Sequence, residues 1–204
     1  MMELLVIRHA HDLHERSGDR RLSPAGRSQA IALAKSLADA GVTELWSSTS
    51  TRAVQTASEI ASTIRLQLRT DPRLDEIRTA RPDDPDVPPP RERAAGRTFA
   101  YGTEDWTAFL TRVSAFVSEL LPARHAHHRA AAVTHSGVFD AIHEALTGAG
   151  RRIELEVAHT GVSVWRHRPG SPAGAWLLRC HNDTGHLATG LLSDGTACNG
   201  RKLP

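Results

Sequence analysis

The sequence predicts an α/β fold, a three-layer sandwich with a mainly parallel central sheet and helices on both faces. Three observations carry this. Short apolar runs alternate with longer segments whose apolar residues recur at helical spacing. Two of the runs, Leu4-Leu5-Val6-Ile7 and Ala130-Ala131-Ala132-Val133, are apolar throughout, as strands covered on both faces are. Three segments then place a cation or an imidazole just past a strand, where open α/β sheets bind their ligands.

The elements follow in order. The first strand, Leu4 to Ile7, runs into Arg8-His9. A polar stretch leads to Ser23-Pro24, a helix start with Ser as N-cap and Pro at the first helical position. Ala30, Ile31, Ala34, Leu37 and Ala38 mark its apolar face, and Gly41 suits its stop. Glu44 to Ser47 reads as the second strand. Thr51 is a capping residue for a second helix with Ala53, Val54, Ala57, Ile60, Ala61 and Ile64 on one face. Leu66 to Arg69 fits a third strand. Residues 78–102 hold five prolines among Asp and Arg, and read as a surface loop or partial lid, or as disorder. Trp106, Phe109, Leu110, Val113, Phe116, Val117, Leu120 and Leu121 form the clearest helical stripe, a core face. Ala130 to Val133 is a buried strand, and Val138 to Leu146 a helix closing at Gly148. Val162 to Arg166 and Trp176 to Cys180 are late strands, and the tail from about 191 looks frayed.

Size and composition set the bounds. A chain of 204 residues fits a single domain, 1–204, with one sizeable core. A net charge of +2 gives no reason to expect nucleic acid or a membrane surface as partner. The first residues are too short and too charged for a secretory leader, and no apolar stretch approaches the ~20 residues of a membrane span. The expected location is therefore the cytoplasm. Two cysteines, Cys180 and Cys198, make neither a disulfide framework nor a metal site. Arginines outnumber lysines heavily, which reads as a compositional habit with most of them solvated.

Three strand ends carry the chemistry. The first presents Arg8 and His9. The second, Ser47 to Ala57, puts Arg52 in the first turn of a helix. The third, Val133-Thr134-His135-Ser136-Gly137, gives His135 just before another helix. Helix amino termini offer free N–H groups and a positive partial charge, which suits phosphate. Paired arginines bind its oxygens through charge-assisted bonds.

Four stretches together resemble the histidine phosphatase superfamily, with its phosphatases and phosphoglycerate mutases. They are Val6-Ile7-Arg8-His9-Ala10, Leu22-Ser23-Pro24-Ala25-Gly26-Arg27-Ser28-Gln29-Ala30, Ser47-Ser48 through Arg52 to Gln55-Thr56-Ala57, and Val133-Thr134-His135-Ser136-Gly137. The resemblance implies a phosphoglycerate mutase-like fold. It implies His9 as a nucleophile forming a phosphohistidine, and Arg8, Arg52 and His135 as ligands of the phosphoryl oxygens. His9 would attack as a neutral ring whose other nitrogen is held by an acceptor, expected to be backbone. Neither metal nor cofactor is implied. Glu76, in Leu74-Asp75-Glu76-Ile77, takes the position of the proton donor, with Asp75 and Glu104 as competitors; capping the long helix is the other role for Glu104. His181-Asn182-Asp183-Thr184-Gly185-His186-Leu187 resembles the family's carboxyl-terminal stretch, with His186 read as structural. Ala10 replaces the family's usual glycine, and the segments that help relatives recognise the organic part of a substrate are missing. That favours a metal-independent phosphatase over a mutase. The expected partner is a small phosphorylated substrate or a phosphoprotein, and the oligomeric state is left open.

Two other readings compete. A chain can keep such a pocket and only bind phosphorylated ligands. His9-Ala10-His11 also looks like the metal pair of barrel amidohydrolases, yet that fold needs eight βα units and about 250 residues. His125, His127 and His128 read as a solvated turn, and His11 and His14 as exposed loop residues near the pocket mouth.

Overall fold

The computed structural model describes residues 2–13, 20–77, 104–120, 128–150, 153–171 and 175–187. The proline-rich stretch at 78–102, the tail from 191, His14, His125, His127 and Cys198 lie outside the described residues.

The strands are β1 (Met2–Arg8), β2 (Glu44–Ser47), β3 (Leu68–Thr70), β4 (His128–Thr134), β5 (Val162–His167) and β6 (Trp176–Asp183). They form one sheet in the order β3-β2-β4-β1-β5-β6. β1, β2, β3 and β4 pair parallel, whereas β5 joins β1 antiparallel and β6 joins β5 antiparallel. The helices are α1 (Pro24–Ser36), α2 (Thr51–Ile64), α3 (Trp106–Leu120) and α4 (Ser136–Thr147). The α/β sandwich with a mostly parallel sheet is thus the observed architecture.

Strand alternation distributes the core. Leu4 and Val6 of β1, with Ala130 and Ala132 of β4, pack under Phe109, Val113 and Phe116 of α3 and Phe139 and Ile142 of α4. Leu5 and Ile7, with Ala131 and Val133, pack under Leu33 of α1, Leu37 at its end, and Ala53, Ala57 and Ile60 of α2. The small alanines of β4 let helices close onto the middle of the sheet from both sides. Among the described residues, no helix is long and apolar enough to cross a membrane.

Several boundaries and faces differ from expectation. Ser23 does cap α1, accepting from the Gly26 N–H at 3.0 Å, but the helix ends at Ser36. Gly41, at φ 67°, sits beyond a further turn. Ile31 is exposed and Leu33 buried instead, because α1 meets the sheet through Leu33 and Ala34, while Ala30 packs on Ala10 and Leu22 of the loop after β1. The N-cap of α2 is Ser50, one residue before the expected Thr51. β3 starts at Leu68 rather than Leu66. His128 is no turn residue: it is buried in β4, 3.5 Å from Glu44. The reading of the arginines as solvated also fails in part. Glu3, buried in β1, pairs with Arg129, Arg166 and Arg179. Burial raises its carboxyl pKa, but the three guanidiniums outweigh that and hold it below its ordinary value.

The loop after β1 is fastened to the helices. Ala10 N–H donates to Thr56 Oγ1 (3.0 Å), His11 N–H to Gln29 Oε1 (2.9 Å) and Leu22 N–H to Gln55 Oε1 (2.8 Å). A Cβ on Gly26 would run into the His11 carbonyl, so this crossing of α1 and the loop requires glycine.

Candidate active site

Continuation of the sheet ladder brings the two histidines together. His9 N–H donates to the Thr134 carbonyl (2.8 Å), and Ser48 N–H donates to that of Val133 (2.9 Å). The carboxyl ends of β1, β2 and β4 therefore share one edge, and the His9 and His135 rings stand 5.1 Å apart, edge to face.

Arg52 ties them. Its Nε donates to His9 Nε2 at 3.1 Å, and its Nη2 reaches His135 Nδ1 at 3.0 Å. His9 Nδ1 lies 2.8 Å from the Ala10 carbonyl. That contact requires the proton on Nδ1, which leaves the Nε2 lone pair facing the cations. The acceptor is backbone, as expected. His135 Nε2 lies 2.8 Å from Ser48 Oγ and 3.2 Å from Ser50 Oγ, so with Nδ1 accepting from Arg52 it is Nε2 that carries the proton. Burial pushes the His9 pKa well below the ordinary histidine value; His135, Arg52 and His159 push the same way, against the Ala10 carbonyl. Burial also lowers His135, with Arg52, Arg20, Arg8 and Arg112 adding to it. Both rings are neutral at neutral pH.

Arg8 leaves the strand on the opposite side from His9. Its Nη1 donates to the Val157 carbonyl. With Ser136, Glu154, Leu155, Glu156, Val157 and Ala158 it lines a cavity of about 270 Å³. The three-way contact thus joins His9, Arg52 and His135, while Arg8 flanks it and acts on His135 through its charge.

Glu76 lies over the start of α4. Its Oε2 accepts from the Gly137 N–H (3.2 Å) and is 3.5 Å from Ser136 Oγ; its Oε1 accepts from the Ile77 N–H (3.0 Å). A Cβ on Gly137 would strike this carboxylate, so glycine there makes room for it. The two competing acids are occupied elsewhere. Asp75 accepts from Ser48 Oγ (2.7 Å), Thr49 N–H (2.7 Å) and Thr49 Oγ1 (2.8 Å), which pins the loop carrying the second signature. Glu104 pairs with Arg112 Nε at 2.6 Å. Asp105, directly before the first turn, caps α3: its Oδ1 accepts from the Ala108 N–H (2.8 Å). Arg112 in turn donates to the carbonyls of Arg73 (2.8 Å), Asp75 (2.8 Å) and Glu76 (3.2 Å). One guanidinium on α3 holds the whole turn that carries Glu76.

Sequence reasoning passed over His159 and Asp12. The turn 158–161 folds back over the end of β1: Thr160 N–H donates to the Arg8 carbonyl (3.0 Å), and Thr160 adopts φ 60°, a strained conformation for a β-branched residue. Asn182 Oδ1 accepts from the Ala158 N–H (2.8 Å) and His186 Nε2 lies 3.0 Å from Thr160 Oγ1, so the carboxyl-terminal motif braces this turn. The turn sets the His159 ring 5.6 Å from His9 and 5.1 Å from His11. His11 is half-buried, with Nδ1 2.8 Å from Ser23 Oγ, rather than exposed at the pocket mouth. His9, Asp12 and His159 place one ligand atom each within 4.8 Å of one another, a donor set suited to a metal ion. The only advance signal was the unusual density of histidine in these loops.

Comparison with known proteins agrees with this architecture. The model of the histidine phosphatase superfamily (branch 1) matches residues 4–183. A mycobacterial glucosyl-3-phosphoglycerate phosphatase superposes with a TM-score of 0.72 at 22% identity, covering 88% of this chain and 98% of that one. A mutant phosphoserine phosphatase from Entamoeba histolytica in complex with phosphoserine gives a TM-score of 0.72 at 20% identity, covering 92% and 100%. Bacillus stearothermophilus YhfR gives 0.72 at 19%, covering 91% and 99%. At such identities the likeness is one of fold. No curated protein matches the chain.

Proposed function

The chain belongs to the histidine phosphatase superfamily, branch 1, and we propose that it is a metal-independent phosphomonoester hydrolase working through a phosphohistidine on His9. The observation that carries this is the state of His9: Nδ1–H is held on a carbonyl, and the Nε2 lone pair faces a guanidinium that also grips a second imidazole.

In this mechanism the ester's phosphoryl oxygens take over the donors of Arg52 and the Nε2–H of His135, and Arg8 adds positive charge from its side. His9 Nε2 attacks phosphorus in line with the leaving oxygen. The P–N bond forms as the P–O bond to the leaving group breaks, and Glu76 gives its proton to that oxygen, so the alcohol departs neutral. Water then attacks the phosphohistidine, Glu76 takes the water proton, and the P–N bond breaks to return neutral His9 with inorganic phosphate. The rate gain comes from positioning and from preorganised charge around the equatorial oxygens.

A small phosphorylated metabolite is the substrate class favoured here, with phosphoprotein as the alternative, and the cytoplasm as the location. The fold matches to phosphatases that act on a glucosyl phosphoglycerate and on phosphoserine support a small phosphoester. The test is alkaline quenching during turnover of a labelled aryl phosphate. Wild-type protein retains label on histidine, and His9→Ala retains none, loses turnover and still binds inorganic phosphate. Hydrolysis surviving in His9→Ala overturns the mechanism.

A further inference from the structure

We propose that His9, Asp12 and His159 form an inhibitory site for a borderline divalent cation of the zinc class, which captures the lone pair the reaction needs. Two imidazole nitrogens and one carboxylate oxygen are the donors zinc takes when it keeps an open position. Here they come from three separate places in the chain and lie within 4.8 Å of one another.

Each donor is set by the fold. His9 has its Nδ1 committed to the Ala10 carbonyl, so Nε2 is the nitrogen that faces the site. His159 is 9% exposed and is carried by the turn braced by Asn182 and Thr160. The Asp12 side chain is 10% exposed. Its Oδ2 is buried and accepts no hydrogen bond from the described residues; Arg20 (3.2 Å) and Arg52 (3.7 Å) approach it as ion-pair partners. A tetrahedral zinc with ligands at ~2.0–2.1 Å wants donors roughly 3.4 Å apart. The set must therefore draw in by up to about 1.4 Å from the 4.8 Å limit, through side-chain rotation of Asp12 and His159.

Binding requires Arg52 Nε to release His9 Nε2, while Arg52 Nη2 keeps His135. The nearby guanidiniums oppose a dication, and Asp12 offsets part of that charge. Magnesium and calcium demand oxygen ligands and do not suit this set. The same lone pair then serves Arg52 at rest, phosphorus in the reaction or the cation, one at a time. Zinc and phosphoester compete, and a chelator restores activity rather than removing it.

The inhibition half rests on His9 being the nucleophile, whereas cation binding does not. The experiment titrates chelator-stripped full-length protein with Co2+, followed by its visible ligand-field bands, then with Zn2+, and measures aryl phosphate hydrolysis in parallel. Asp12→Asn and His159→Gln are carried through the same series, with circular dichroism checking their folding. In wild type, cobalt bands appear, Zn2+ displaces them, and Zn2+ inhibits competitively with phosphoester. Each variant weakens Co2+ binding at least tenfold and loosens Zn2+ inhibition in parallel, and either variant suffices if the other fails to fold. Absence of bands in wild type overturns the proposal, as do bands unchanged in the folded variants, which would place the metal on other histidines. Bands lost in the variants, in a protein without His9-dependent hydrolysis, keep the cation site and remove the phosphatase reading.

Discussion

In the proposed mechanism, Arg52 and Glu76 divide the chemistry at the scale of single residues. Arg52 is planar and reaches two imidazoles at once, at 3.1 and 3.0 Å, a fork that lysine cannot reproduce. Glu76 is poised between a backbone N–H and a serine hydroxyl at the start of α4. If it is the acid, Glu76→Gln should slow hydrolysis of alkyl phosphates by about 10²–10³, because an alkoxide leaves poorly without a proton. Activated aryl phosphates should lose less than about tenfold. Leaving-group series on both proteins measure this, and equal losses across the series count against the assignment. Arg8, His9, Arg52, His135 and Glu76 could all be picked out in the sequence because each sits in a local motif next to a strand or helix end. His159 could not. Its place against His9 depends on a left-handed Thr160 and on Asn182 of β6, more than twenty residues along the chain, and nothing local to His159 reports that contact.

At the scale of elements, α3 acts on the site without touching it. Arg112 lies across the Phe109 ring (4.6 Å to the centroid), is paired with Glu104, and donates to the carbonyls of Arg73, Asp75 and Glu76. Arg112→Leu should cost about 2–4 kcal/mol, since those carbonyls lose a charged donor and Glu104 its partner. A positioning role predicts more than lost stability: the folded variant should show the same steeper dependence on leaving group as Glu76→Gln. Chemical denaturation and the leaving-group series read the two effects separately, and an unchanged series would leave Arg112 a purely structural residue. The helical stripe of α3 was plain from Trp106 to Leu120, because one face is large and apolar. What Arg112 on its polar face holds was invisible, since its partners lie about forty residues earlier.

Over the whole molecule, acid stability reports how much charge chemistry is buried. Burial pushes the His186 pKa down to about 4, against the pull of Asp183. Its ring lies 3.0 Å from Thr160 Oγ1, beneath the turn that carries His159. An unfolded histidine titrates near 6.5, so between about pH 6.5 and 4 the unfolded chain binds the extra proton. Stability should therefore be full above pH 6.5 and fall as pH drops toward 4, by up to roughly 3 kcal/mol from this group. His186→Gln should flatten that slope by about one proton; melting temperatures across this range check it, and an unaltered slope would mean the ring is solvated. Glu3 and Asp71, both held below their ordinary values, extend the loss to lower pH, because their stabilising partners are lost as they protonate. The alternation of apolar runs and helical stripes, and the residues placed at strand ends, were set by the sequence alone, because period and capping are local properties of the chain. Tertiary packing alone decided that α1 stops early, that Glu3 collects three arginines, and that His159 and Asp12 meet His9. Those outcomes depend on which surfaces the sheet order brings face to face, and strand order is not a local property.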